Sequence, residues 1–237
     1  TNFTETITIT GSGAPAGWTI TYYNAETGGS NITADILSGA YSRTDMAQTA
    51  TYTIRIEAEA GSRFSLTGGS VLTTTVLSKP LDSADAARQD LVACVTNVNP
   101  DYTIDNLVAI TSPYNSFWGN NAYNSSGISQ TDTTLTITSL STVTYLVRIE
   151  NDGNMNTPVT VTASPASAGW VVTYYDGVDT AAAVIPAVIT STGWLRPGAI
   201  TPGGVAYICV ELTAGNSVLG GSSGVYTGTL RAISFLT

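Results

Sequence analysis

The sequence predicts an all-β protein of two β-sandwiches, and three observations lead to it. Apolar and polar residues alternate with a period of two in Thr6-Ile7-Thr8-Ile9-Thr10, Trp18-Thr19-Ile20-Thr21-Tyr22, Tyr52-Thr53-Ile54-Arg55-Ile56 and Leu135-Thr136-Ile137-Thr138. That is the pattern of half-buried strands. Gly and Pro clusters such as Gly11-Ser12-Gly13, Gly28-Gly29, Gly68-Gly69, Pro202-Gly203-Gly204 and Gly220-Gly221 separate these runs, and helix signals are nearly absent. Short strands at this spacing make sandwiches. Finally, residues 1–83 recur with variations at 153–237: Ala16-Gly17-Trp18-Thr19-Ile20-Thr21-Tyr22-Tyr23-Asn24 returns as Ala168-Gly169-Trp170-Val171-Val172-Thr173-Tyr174-Tyr175-Asp176. A repeat of this length implies one structural unit per copy.

Each element follows from the same pattern. Residues 5–10 and 157–162 form the first shared strand, with Ile7-Thr8-Ile9-Thr10 lying over Val159-Thr160-Val161-Thr162. The second shared strand covers 18–23 and 170–175, and further strands are predicted near 32–37 and 183–189, at 51–57 and 205–212, and at 70–78 and 225–234. Thr, Val, Ile and Tyr dominate them, the residues that fit a pleated surface. A strand at 90–98 follows copy one only, and one at 143–150 precedes copy two only. Ile104 to Ile110 reads as a strand between the copies, Asp152-Gly153 as a hairpin or short-loop signal, and Ser83 to Gln89 as one turn of helix or a loop. The predicted domains are 1–98 and 133–237, with 99–132 between them holding a strand and the aromatic run Tyr114 to Tyr123.

Composition excludes several functions. Charged residues make up 11% of the 237, the net charge is −9, and Lys79 is the sole lysine. Nucleic acid needs clustered Lys or Arg to displace counterions, and anionic lipid needs a basic face, so both are excluded as partners. No run of 18 apolar residues predicts a membrane span. The chain has no histidine, so no imidazole can serve as base, and no His/Cys metal spacing exists. No catalytic residue and no enzyme activity are predicted. Cys94 and Cys209 are too few for a disulfide framework and are expected to be buried thiols.

Calcium is the one cofactor for which the sequence offers ligands. Asn151-Asp152-Gly153-Asn154 and Asp176-Gly177-Val178-Asp179 place oxygen donors on tight loops, although neither is a complete calcium loop and both are ordinary turn chemistry. Sequons offer glycosylation at Asn2, Asn31 and Asn124. The low-charge, Thr-rich surface fits an extracellular or cell-surface location.

The order Trp118-Gly119-Asn120-Asn121-Ala122-Tyr123-Asn124, then Tyr145-Leu146-Val147-Arg148-Ile149-Glu150-Asn151-Asp152-Gly153-Asn154, then Ala168-Gly169-Trp170, resembles the tandem Ig-like, CARDB-like repeats of prokaryotic surface proteins. The resemblance covers most of the chain. It implies Ig-like sandwiches, export, and a role in surface architecture or adhesion. Trp18 and Trp170 then stand where such a sandwich commonly buries a Trp.

Each copy is predicted to lack one strand that the other has. An open sandwich exposes backbone donors and acceptors. A missing strand with three inward apolar side chains forgoes roughly 5–9 kcal/mol of burial. Against a domain stability of about 5–15 kcal/mol, that favours accepting a strand from a neighbour. Unlike vacancies at two ends give a head-to-tail filament, sheath or surface layer built by self-association. Thr4, Thr6, Thr8 and Thr10 at one end, and Tyr226, Leu230 and Phe235 at the other, are the candidate subunit contacts. The alternatives are a segment of a longer repeat protein, whose absent strands lie elsewhere in the same product, and an adhesin or carbohydrate-binding module. In the latter, Tyr114, Phe117, Trp118 and Tyr123 would bind glycan; otherwise those aromatics seal an interface.

Overall fold

The computed structural model describes residues 4–47, 49–62, 65–81, 88–110, 116–123, 137, 140–215 and 226–235. It is nearly all β, with several antiparallel sheets. The chain divides into two compact units, Thr1–Asn99 and Pro100–Thr237.

The first unit holds β1 (Glu5–Gly11), β2 (Trp18–Tyr23), α1 (Thr33–Ser38), β3 (Ser42–Met46), β4 (Arg55–Ala60), β5 (Val71–Pro80) and β6 (Asp90–Asn97). One sheet runs β3-β1-β5-β6 and the other is the pair β2-β4. Between them Ile9, Ile20, Tyr22, Ile32, Ile36 and Leu72 form the core. Period-two alternation sends Ile20 and Tyr22 to one face, and both are buried.

The second unit holds β7 (Ile104–Ile110), β8 (Thr142–Asn151), β9 (Val159–Ala163), β10 (Trp170–Asp176), β11 (Ala183–Val184), a 3-10 turn at Ala187–Thr190, β12 (Trp194–Leu195), β13 (Val205–Ala214) and β14 (Leu230–Ser234). Its sheets run β11-β10-β13-β8-β7 and β12-β9-β14. Val147, Ile149, Val159, Val161, Tyr174, Ile185, Ile189 and Ile208 fill the space between them.

The two units make matching bonds at corresponding positions. Tyr22 donates its hydroxyl proton to the Ser12 carbonyl at 2.8 Å, and Tyr174 does the same to Ser164 at 3.1 Å. The amide of Gly61 donates to Gly17 O, and that of Gly215 to Gly169 O, each at 2.7 Å. Gly17 and Gly169 share a φ of 83°, a left-handed conformation that makes Gly the fitting residue before each Trp. Trp18 packs against the first core and Trp170 against the second unit's Tyr226, both half-buried; the fully or nearly buried aromatics are Tyr22 and Tyr174.

Several expectations are corrected. Residues 32–37 form no strand: Ile32 and Ile36 are four apart, a helical spacing that turns both into the core, and Gly39 at φ 75° ends α1. The matching stretch of the second unit is two residues of β11, then Pro186 and the 3-10 turn. Of the two readings of Asp152-Gly153, the loop stands and the hairpin does not, because β8 and β9 belong to different sheets. The strand placed between the domains, β7, belongs to the second unit, where it pairs with β8 from Ile104↔Asn151 to Ile110↔Tyr145. Cys94 is exposed, and only Cys209 is buried; both are free thiols. The possible helical turn at Ser83–Gln89 falls mostly outside the described residues, as does most of the run Leu135–Thr138.

Candidate functional site: open sheet edges

The two units complete their sandwiches differently. In the second unit β13 lies between β10 and β8, with β8 in register from Val205↔Glu150 to Thr213↔Thr142. In the first unit β4 pairs with β2 in the corresponding way, Trp18↔Ala60 matching Trp170↔Ala214. Among the described residues, however, no strand occupies the other edge of β4. The converse holds for the opposing sheets. Strand β5 carries β6 on its outer edge, from Val71↔Asn97 to Ser78↔Asp90, while β14 pairs with β9 alone among the described residues.

The consequence appears on β6, where every residue is exposed. Register places Val92, Cys94 and Thr96 on the same face as Val76, Thr74 and Leu72. Thr74 and Leu72 are buried, yet one strand further out Val92 is 54% exposed. On the opposite face Leu91 and Val95 are 60% and 61% exposed. A strand beside β4 would lie across from β6, as β8 lies beside β13. The open edge of β4 is charged on one face, with Arg55 paired to Glu57 at 2.9 Å and stacked on the Tyr23 ring at 4.2 Å. Its other face carries Ile56, Ala58 and Ala60, cross-strand from Tyr22, Ile20 and Trp18. Charge on an exposed edge discourages indiscriminate pairing.

The candidate subunit contacts divide on this geometry. Strand β1, which carries Thr6, Thr8 and Thr10, is paired on both edges by β3 and β5, and Thr8 is buried. Thr6, Thr8 and Thr10 therefore sit on a strand with a neighbour on each side, and Thr4 is exposed just ahead of β1. Leu230 does lie on β14, which has β9 as its one described partner. Phe235 follows it at 65% exposure, its amide bonded to Pro158 O. Tyr226 is spent inside the unit, its ring 5.7 Å from Trp170. Burial raises the pKa of both Tyr226 and Tyr174, so both hydroxyls stay protonated at neutral pH.

The aromatic run forms no common platform among the described residues. Trp118 exchanges backbone hydrogen bonds with Val108, extending the sheet beyond β7, and is itself 55% exposed. The Phe117 ring instead holds the Arg148 guanidinium at 4.4 Å, and the Tyr123 hydroxyl donates to Asp152 Oδ2 at 2.5 Å. Tyr114, with the sequon residues Asn2 and Asn124, lies outside the described residues. Asn31 is exposed, its Oδ1 accepting from the Thr33 amide at 2.9 Å.

The two candidate calcium loops also part ways. Asp176 pairs with Arg196 at 3.3 Å, and Asp179 Oδ1 accepts the Ala181 amide of its own turn. Asp152 approaches two carboxylates that loop patterning gave no reason to single out, Asp105 and Glu150. These two sit directly opposite each other on β7 and β8. Only the pairing register of strands far apart in sequence could have revealed them.

No protein-family model and no curated protein matches the chain. Among solved structures it is similar to a serine-rich repeat protein, Srr2, from Streptococcus agalactiae. The similarity is at 12% identity and a TM-score of 0.21, over 98% of this chain and 79% of that one.

Proposed function

We propose that the chain is a structural subunit of an extracellular or cell-surface assembly, joined to further copies by strand addition at its open sheet edges. The observation that carries this reading is β6: an eight-residue strand, exposed throughout, presenting Val92 on the same face as the buried Leu72 and Thr74, in a sandwich whose facing sheet has two described strands. Covering Val92 contributes about 1.5–3 kcal/mol, and an added strand also satisfies a row of backbone groups. The second copy is the occupant that the molecule itself suggests, since β8 beside β13 shows the register such a strand would take. The scarcity of charge and of lysine suits a densely packed surface polymer, and Asn31 is exposed for glycosylation there. The resemblance to CARDB-like repeats points the same way, and the role is one of scaffolding without catalysis.

Val92→Lys tests this directly. Residue 92 is already exposed, so the subunit should fold, while a charge placed toward the incoming strand should suppress polymers in electron microscopy and light scattering. Val178→Lys, on an exposed turn of the second unit, is the control. Polymers unchanged by Val92→Lys, or lost equally in both variants, would reject assembly through this face. Adhesion is a second reading, favoured by the exposed Trp118. Specific glycan binding that disappears in Trp118→Ala would support it.

A further inference from the structure

We propose that Asp105, Glu150 and Asp152 bind a hard divalent cation, calcium above all, on the face of the β7–β8 pair turned away from the core. One carboxylate oxygen from each of these residues lies within 4.8 Å of the others. That spacing lets a single ion touch all three, because calcium takes oxygen ligands at about 2.3–2.6 Å.

The proximity is built by the fold. Asp105 and Glu150 are cross-strand partners, so their side chains emerge together on one face. Asp152 comes from the turn that follows β8. Its amide and that of Gly153 donate to Thr103 O at 2.9 and 3.2 Å, while the amide of Asn154 donates to Asp101 O at 3.0 Å. The turn is locked from its own side by Asn151, whose Nδ2 donates to Met155 O and Ile200 O and whose Oδ1 accepts the Gly153 amide.

The second observation is the state of Asp105. It is 1% exposed; Oδ2 accepts the Asn121 amide at 2.6 Å, but Oδ1 is buried with no hydrogen-bond partner. A buried carboxylate oxygen left unpaired costs roughly 1–3 kcal/mol or more, and a cation removes that cost. Few protein charges are available to do so instead. Arg148, the one cation of the cluster, is engaged with Glu150 at 2.9 Å and with the Phe117 ring. Three carboxylates and one guanidinium leave an excess of negative charge that suits a divalent ion. Oxygen donors alone, without sulfur or imidazole, select calcium or magnesium over transition metals. Carboxylates on two strands and a turn form an irregular set that suits calcium better than octahedral magnesium.

The test uses the full chain stripped with EDTA, with calcium chloride and magnesium chloride as probes in thermal denaturation and titration calorimetry. Calcium at about one hundred times its Kd should lower the unfolded fraction of the second unit about a hundredfold. Asp105→Asn keeps the shape of the side chain and should abolish both the stabilisation and the binding heat. Glu150→Gln, at a partly exposed position, should weaken them. Asp179→Asn, in the other candidate loop, should leave them intact. No calcium response in the wild type, an equal response in Asp105→Asn, or its loss in Asp179→Asn would overturn the site. A magnesium response as large as the calcium response would overturn the choice of ion.

Discussion

Gly153→Ala is the most searching single perturbation of the second unit. The φ of Gly153 lies outside the left-handed region, so alanine incurs no left-handed strain there. The obstacle is space: a Cβ would sit 2.1 Å from Asp101 O, 2.7 Å from Asp101 C and 2.9 Å from Thr103 N. All three are backbone atoms that no rotamer change can move. The turn must therefore separate from residues 101–103, breaking three backbone hydrogen bonds made by the amides of Asp152, Gly153 and Asn154. At about 0.5–1.5 kcal/mol each, their loss sums to roughly 1.5–4.5 kcal/mol. For a unit of this size that lowers Tm by about 3–18 °C. Gly198→Ala is the matched control, since its φ is 77° with nothing within 4 Å of the added carbon. It carries only left-handed strain of about 1–2 kcal/mol. Denaturant melts of both variants, followed by tryptophan fluorescence and circular dichroism, provide the comparison. If Gly153→Ala costs no more than Gly198→Ala, the backbone contact does not hold the turn, and the placement of Asp152 beside Asp105 loses its support.

Three further predictions concern the cores and the thiols. Tyr22→Phe and Tyr174→Phe each remove one buried hydroxyl bond, to Ser12 and Ser164 respectively, and should cost about 0.5–1.5 kcal/mol apiece. Lying in different units, the two should add in a double mutant; a coupling above about 0.5 kcal/mol would show the units are not independent. Tyr52 is pushed up to about 12 by burial and by its hydroxyl contact with Tyr41. A tyrosine with a raised folded-state pKa gives stability that is complete below about pH 10 and lost as pH climbs toward 12. Ultraviolet titration should show a transition near pH 12 that is absent from Tyr52→Phe, whose stability should fall less over that window. A maleimide reagent should label Cys94 in the native protein and Cys209 only after denaturation, since burial and the Glu211 charge raise the Cys209 pKa. Rapid native labelling of Cys209 would contradict its burial.

The all-β class and most of the longer strands were legible because alternation is local: Ile20 and Tyr22 declare their buried face within six residues of sequence, whereas β3 and β12 were not foreseen and the strand expected at 51–57 lies at Arg55–Ala60. The local error at 32–37 has an equally local cause. Its two isoleucines fit both a strand and a helix, and only the core of β1, β2 and β5 decided that Ile32 and Ile36 should enter together from one turn of α1. The candidate calcium turn at 151–154 was visible as turn chemistry, but its partners were not. Asp105 precedes Asp152 by 47 residues of sequence, and it becomes a neighbour only when β7 takes its register on β8.

By itself, then, the sequence determined what each short segment prefers: which residues face inward, where the chain turns, and that little charge is available for nucleic acid or anionic lipid. Tertiary structure alone decided which strands are interior and which are edges. Thr8 and Val92 both lie on strands that local sequence identifies, yet β1 runs between β3 and β5 while β6 stands exposed throughout. Alternation specifies the faces of a strand and carries no information about its lateral neighbours. Those neighbours are set by backbone hydrogen bonds between residues remote in sequence, and they place both the open edges and the three carboxylates.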